Sequence, residues 1–182
     1  MLWRSDHGFV LLHQGIGLHA FNTLPERRAV HALYECCNSL SLARALARGR
    51  AYGSHAALFR RADALLFSLP DAAIDVILEA YPHVGARPRS VKSAAEQCSV
   101  WNDDDAVMTA LRDGADRYRD RFGFEFVMFV GGVGCAEVTA AMAERMHNEL
   151  ETERKVVRNE LAKINRTRLE RMLGPEGGFS NW

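Results

Sequence analysis

The sequence predicts an all-α, bundle-like single domain of about seven to eight helices. Three observations predict it. Apolar residues recur at helical spacing through most of the chain. Most of these stretches open on a capping residue or proline, or close at glycine or proline. No repeat, heptad array or low-complexity tract interrupts them, and 182 residues suit one hydrophobic core.

In order along the chain, Thr23 before Pro25 and Glu26 reads as an N-cap with proline just inside. Val30, Leu33, Tyr34 and Cys37 then carry a first helix to about Cys37. Ser39 caps a second helix bearing Leu42, Ala45 and Leu46, which Gly49 ends. Ser54 opens a third, with Leu58, Ala62, Leu65, Leu66 and Leu69 as its stripe. Pro70 stops it and starts a fourth, with Ile74, Ile77 and Leu78 inward. From Tyr81 to Lys92 the composition turns to Pro, Gly, Arg and Ser, a loop between helices. A short helix is expected over Ser93–Val100. Asn102 and Asp103–Asp105 then form the acidic start of a helix to about Phe122, with Val107, Leu111 and Tyr118 inside. Phe124–Val130 is too apolar for a surface loop and reads as buried extended chain, ended by Gly131, Gly132 and Gly134. Two helices close the chain, Cys135 to about Asn148 and about Leu150 to Leu173. The expected organisation is an N-terminal extension over 1–20, a helical domain over 21–174 and a mobile tail over 175–182.

Composition removes several function classes. With 23 basic against 23 acidic residues there is no overall field to draw nucleic acid or an anionic membrane. The longest apolar stretches, such as Phe124–Val130 and Phe9–Leu12, fall far short of the ~20 residues of a membrane span. Met1–Ala20 lacks a secretory pattern. Cys36, Cys37, Cys98 and Cys135 form no CxxC pair, so reduced thiols in a cytoplasmic protein are expected.

Several motifs have ordinary readings. Glu144 and His147 share a helix face, but di-iron bundles need two such copies and only one occurs, so a solvated face or an ion pair is expected and no metal. Gly131-Gly132-Val133-Gly134 fits neither GxGxxG nor a P-loop and reads as a tight turn. Cys36 and Cys37 read as buried, unactivated thiols. The most suggestive group is Tyr81-Pro82-His83-Val84-Gly85 with Ser93-Ala94-Ala95-Glu96-Gln97, an imidazole and a carboxylate fit for general acid–base chemistry.

Read together, several markers resemble those of the 2-oxo-4-hydroxy-4-carboxy-5-ureidoimidazoline (OHCU) decarboxylase family. They are Phe21-Asn22, Cys36-Cys37 with Ser39, Arg50, Pro82 with Gly85, Ser93, Glu96 and Gln97, Tyr118, Phe122 and Gly123 with the apolar run, and Ile164, Arg168 and Leu169. The resemblance runs from Phe21 to about Leu173. It implies an all-helical homodimer without metal or organic cofactor that decarboxylates a small anionic ureidoimidazoline to (S)-allantoin in urate degradation. It also implies a loop histidine for proton transfer beside Glu96, with Pro82, Ser93 and Gln97 on the substrate. Backbone groups of Phe126, Val127, Met128, Phe129 and Val130 would line the ring site, and Arg168 would hold a carboxylate as a fork-shaped donor.

The chain departs from that pattern at the proton-transfer position, which Tyr81 occupies. A phenol titrates near ~10 and an imidazole near ~6.5, so His83 is expected to take over with Glu96 as the proton-handling pair. Ala51, Leu42 and Ala115 depart elsewhere. Two alternatives stay open: a diverged paralogue in which Tyr81 serves another lyase, isomerase or cyclisation reaction, and a non-catalytic small-molecule-binding module.

Overall fold

The computed structural model describes residues 15–81, 84, 100 and 102–175. Among them are eight helices and no strand, as the helical periodicity predicts: α1 (Leu18–Thr23), α2 (Glu26–Cys37), α3 (Leu40–Arg48), α4 (His55–Phe67), α5 (Asp71–Glu79), α6 (Asp105–Phe122), α7 (Cys135–Arg145) and α8 (Leu150–Leu173). The described residues form two compact units. One comprises those up to Ser68 together with those from Ile164 onward, and the other is Leu69–Lys163.

In the first unit, Phe21, Leu33, Leu42, Leu46, Leu58 and Leu66 are buried, at about 1.5–3 kcal/mol for each large apolar side chain. Serine caps hold two helix starts: Ser39 Oγ accepts from Leu42 N at 3.3 Å, and Ser54 Oγ from Ala57 N at 3.1 Å. The expected cap at Thr23 is corrected. Thr23 ends α1, its hydroxyl donating back to the His19 and Ala20 carbonyls, and Pro25 stands at the start of α2 without a side-chain cap. Proline has no side-chain oxygen with which to accept from the first N–H groups of the helix. Arg50 is a structural tie, donating to the Phe21, Leu24 and Ala47 carbonyls at 3.1, 2.7 and 3.0 Å. Asn22 pairs with both backbone groups of Tyr52. Gly15, Ile16 and Gly17 donate their N–H groups to the last carbonyls of α8, on Arg171, Met172 and Leu173, which would otherwise lack partners.

In the second unit, Ile74, Ile77 and Leu78 of α5 are buried as expected, as are Leu111 and Tyr118 of α6, and Phe122 at its end is buried too. Val107 is only half-buried and Met108 takes the inward place. Asp104 caps α6 by accepting from Ala106 N at 2.8 Å. Gly123 ends α6 at φ 78°, a conformation that favours glycine.

Pro82, His83, Gly85, Ser93, Glu96 and Gln97, the short helix expected over Ser93–Val100 apart from Val100 itself, the Phe9–Leu12 stretch and the tail from Glu176 lie outside the described residues.

Candidate functional site

Phe124–Val130 is non-helical and joins α6 to the glycine turn before α7. Phe124, Phe126 and Val127 are buried, while Met128, Phe129 and Val130 are half-buried. A segment without helix or sheet must satisfy its peptide groups elsewhere. Two charged side chains do so here. Arg145, in the last turn of α7, donates to the Val127 carbonyl at 2.8 Å. Glu160 of α8 accepts from Phe129 N at 2.7 Å and from Lys163 Nζ at 2.6 Å.

Arg145 belongs to a buried ionic knot. Its Nε and Nη2 donate to Glu153 Oε1 at 2.8 and 2.5 Å, and its guanidinium lies 4.4 Å from the Phe126 ring centroid. Glu153 is fully buried in the first turn of α8, where a carboxylate also suits the helix dipole. Asn148 Nδ2 donates to its Oε2 at 2.7 Å, and the Tyr118 hydroxyl donates to its Oε1. Both carboxylate oxygens are thus satisfied, which is the condition for burying a charge. Burial pushes the Tyr118 phenol well above the ordinary tyrosine range, Arg145 opposing the shift and Glu153 adding to it. Tyr118 is therefore a donor, not a base, at neutral pH.

The glycine run is a tight turn, as its sequence suggests. Val133 N donates to the Val130 carbonyl at 3.3 Å, and Gly132 has φ 83°. A Cβ on Gly131 would fall 2.5 Å from the Phe129 ring, so a larger residue there would force that ring to shift. Glu137 Oε2 accepts from Gly134 N at 2.6 Å, fixing the start of α7.

Of the expected site residues, the structure places Phe126–Val130 on the segment just described. Tyr81 is half-buried just beyond α5, its N–H donating to the Leu78 carbonyl at 3.0 Å. Arg168 lies on α8 in the first unit, buried, with Nη1 donating to the Cys36 carbonyl at 3.2 Å. Cys36 and Cys37 are buried, and Glu144 and His147 are exposed. No group of three or more metal-ligating side chains occurs among the described residues. A cavity of about 630 Å³ in the first unit is lined by His55, Phe59, Thr167, Glu170, Arg171 and Pro175 among others, none of them an expected site residue.

Sequence reasoning missed Arg145, Glu153 and Glu160. Each is a charged residue on a helix, where solvent exposure is the default. It also missed Asn165, which is 4% exposed on α8 with its Oδ1 lacking a hydrogen-bond partner among the described residues.

An all-helical scaffold with a non-helical apolar segment held by buried charges is the class that these observations define. A family model described as OHCU decarboxylase matches residues 22–170, and the chain belongs to that family. It is 31% identical over 105 residues to a 2-oxo-4-hydroxy-4-carboxy-5-ureidoimidazoline decarboxylase of Halalkalicoccus jeotgali, covering 56% of this chain and 60% of that protein. It is 26% identical over 139 residues to a uric acid degradation bifunctional protein of Bacillus sp. (strain TB-90), covering 73% of this chain. The chain spans only 27% of that second relative's length. Among solved structures, one of an OHCU decarboxylase in the presence of (S)-allantoin matches with a TM-score of 0.68 and 21% identity, covering 77% of this chain and 95% of that one. One of an (S)-allantoin synthase matches with a TM-score of 0.70 and 19% identity, covering 87% of this chain and 54% of that one. No helix among the described residues is long and apolar enough to cross a membrane.

Proposed function

We propose that this chain is a cofactor-independent carboxy-lyase that converts the ureidoimidazoline OHCU, or a close relative of it, to (S)-allantoin in urate degradation. The observation that carries the reading is the family match over residues 22–170, which includes every expected site residue. In the reaction the carbon–carbon bond to the carboxylate breaks, CO2 leaves, and the bonding electrons pass into the adjacent ring system. A proton then reaches one face of the carbanionic carbon and fixes the stereochemistry. The protein must hold developing negative charge and supply that proton.

His83 and Glu96 are the proton-handling pair, because Tyr81 stands where the family has its histidine and a phenol stays protonated at neutral pH. Pro82, Ser93 and Gln97 contact the substrate. Backbone groups of Phe126–Val130 line the ring, and Arg168 holds a carboxylate. The clamp on Val127 and Phe129 supports this assignment, since a ring site made of peptide groups needs a segment that cannot slide. The working protein is a homodimer, and a light-scattering mass of one 20.3 kDa chain would overturn that.

The test is decarboxylation of OHCU freshly generated from urate by the two preceding enzymes, followed by circular dichroism for optically active allantoin. The expected result is (S)-allantoin formed faster than the spontaneous racemic background, with the enzymatic excess abolished in His83→Ala. No excess in the wild type, or full activity in His83→Ala, would sink the assignment.

A further inference from the structure

Asn165 is buried on α8, yet its Oδ1 meets no hydrogen-bond donor among the described residues. Unsatisfied buried polar atoms are rare because a carbonyl taken from water without a partner costs stability. Ile164, Leu169, Met172 and Leu173 on the same helix are all buried, so an apolar residue at 165 would suit this stretch better. A buried amide oxygen that meets no donor among the described residues calls for a use beyond folding, such as a ligand.

Its place on the helix says what that is. Asn165 and Arg168 are three residues apart, so their side chains leave α8 as neighbours on one face. Both are buried. Arg168 offers only donors and suits an anionic group, whereas Asn165 Oδ1 is an acceptor. A donor beside an acceptor complements a ligand that carries a carboxylate near an N–H.

We propose that Asn165 is a ligand-binding residue whose Oδ1 accepts an N–H of the small anion held by Arg168, and that it selects ureido-bearing acids over acids without such a donor. The inference rests on the carboxylate role given to Arg168 above. A site built to hydrogen-bond a substrate N–H discriminates strongly against analogues that lack it, because its own polar group is then left unpaired.

The decisive experiment measures stability and turnover on the same two variants, Asn165→Leu and Asn165→Ala. Urea unfolding should show at least one of them more stable than the wild type, since removing an unsatisfied acceptor removes its cost. Steady-state kinetics on freshly generated OHCU should show KM raised on the order of tenfold with kcat largely kept, the pattern of lost binding. Calorimetric titration with (S)-allantoin should weaken by a similar factor. Unchanged KM and unchanged allantoin affinity in both variants would mean that the amide serves no ligand. Destabilisation of both variants would mean that the amide is structural, and either result overturns the proposal. A wild type that neither turns over OHCU nor binds allantoin sinks the proposed function together with this inference. A wild type that does both, beside unaffected variants, sinks this inference alone.

Discussion

At the scale of single residues, the strongest energetic statement concerns the knot of Tyr118, Arg145, Asn148 and Glu153. Glu153→Ala leaves the Arg145 guanidinium buried without its carboxylate, so a loss of about 3–5 kcal/mol in urea unfolding is expected. Tyr118→Phe removes one donor and leaves Glu153 bonded to Arg145 and Asn148, so about 1–2 kcal/mol is expected. A loss from Glu153→Ala no larger than from Tyr118→Phe would show that the knot does not act as a unit. The phenol also carries a pH dependence. Its folded pKa is raised above the ordinary 10.0, so its contribution is complete below about pH 10 and declines as pH rises beyond it. Tyr52, buried with its hydroxyl donating to the Leu46 carbonyl, acts in the same direction. Alkaline unfolding of Tyr118→Phe should therefore be less steep above pH 10 than that of the wild type. None of this was readable one residue at a time. Tyr118 was legible as an inward residue from helical spacing, but Arg145 sits between Glu144 and His147, which drew attention as a metal pattern and are exposed.

At the scale of elements, helix starts separate what was legible from what was not. Ser39 and Ser54 were recognisable as caps because each precedes an apolar stripe directly, and both hydroxyls accept the expected N–H. Thr23 has the same sequence signature and does something else, because the six residues Leu18–Thr23 form a helix of their own. That helix is too short for its periodicity to stand out. The difference is measurable: Ser54→Ala should cost about 1 kcal/mol and Thr23→Ala no more than about 0.5 kcal/mol. Equal losses in thermal unfolding would restore Thr23 as a cap. The fourth predicted helix opened on Pro70 as expected, but its polar face could not be read, because its partners lie far along the chain. Asp71 accepts from Arg158 at 2.8 Å and Asp75 pairs with Arg154, which also lies 4.0 Å over the Phe124 ring. Such pairs join positions some eighty residues apart, a separation that no local pattern encodes.

At the scale of the whole molecule, helical periodicity set the fold class, and a scaffold of this kind persists at 19–21% identity with TM-scores of 0.70 and 0.68. Cores tolerate such divergence because volume and patterning suffice to specify them. Chemistry does not, since a proton must be carried by a group with a suitable pKa at one place. The substitution that separates scaffold from chemistry is therefore Tyr81→His. Tyr81 is half-buried and its backbone N–H closes the turn after α5, a bond that any residue except proline keeps, so the variant should fold with little change in midpoint. If His83 has taken over proton transfer, a second imidazole two residues earlier is redundant, and turnover of OHCU should change less than roughly tenfold, within a moderate change in barrier. If instead turnover rises by a factor of a hundred or more, well within the typical worth of a placed acid or base, the wild type has left the family reaction. The tyrosine would then be serving another transformation of a small acid on the same scaffold. Ligand-induced thermal shifts complete the comparison, because binding raises the midpoint whether or not chemistry follows. A wild type stabilised by (S)-allantoin but inert toward OHCU, with Tyr81→His equally inert, would identify a binding module and exclude both enzymatic readings.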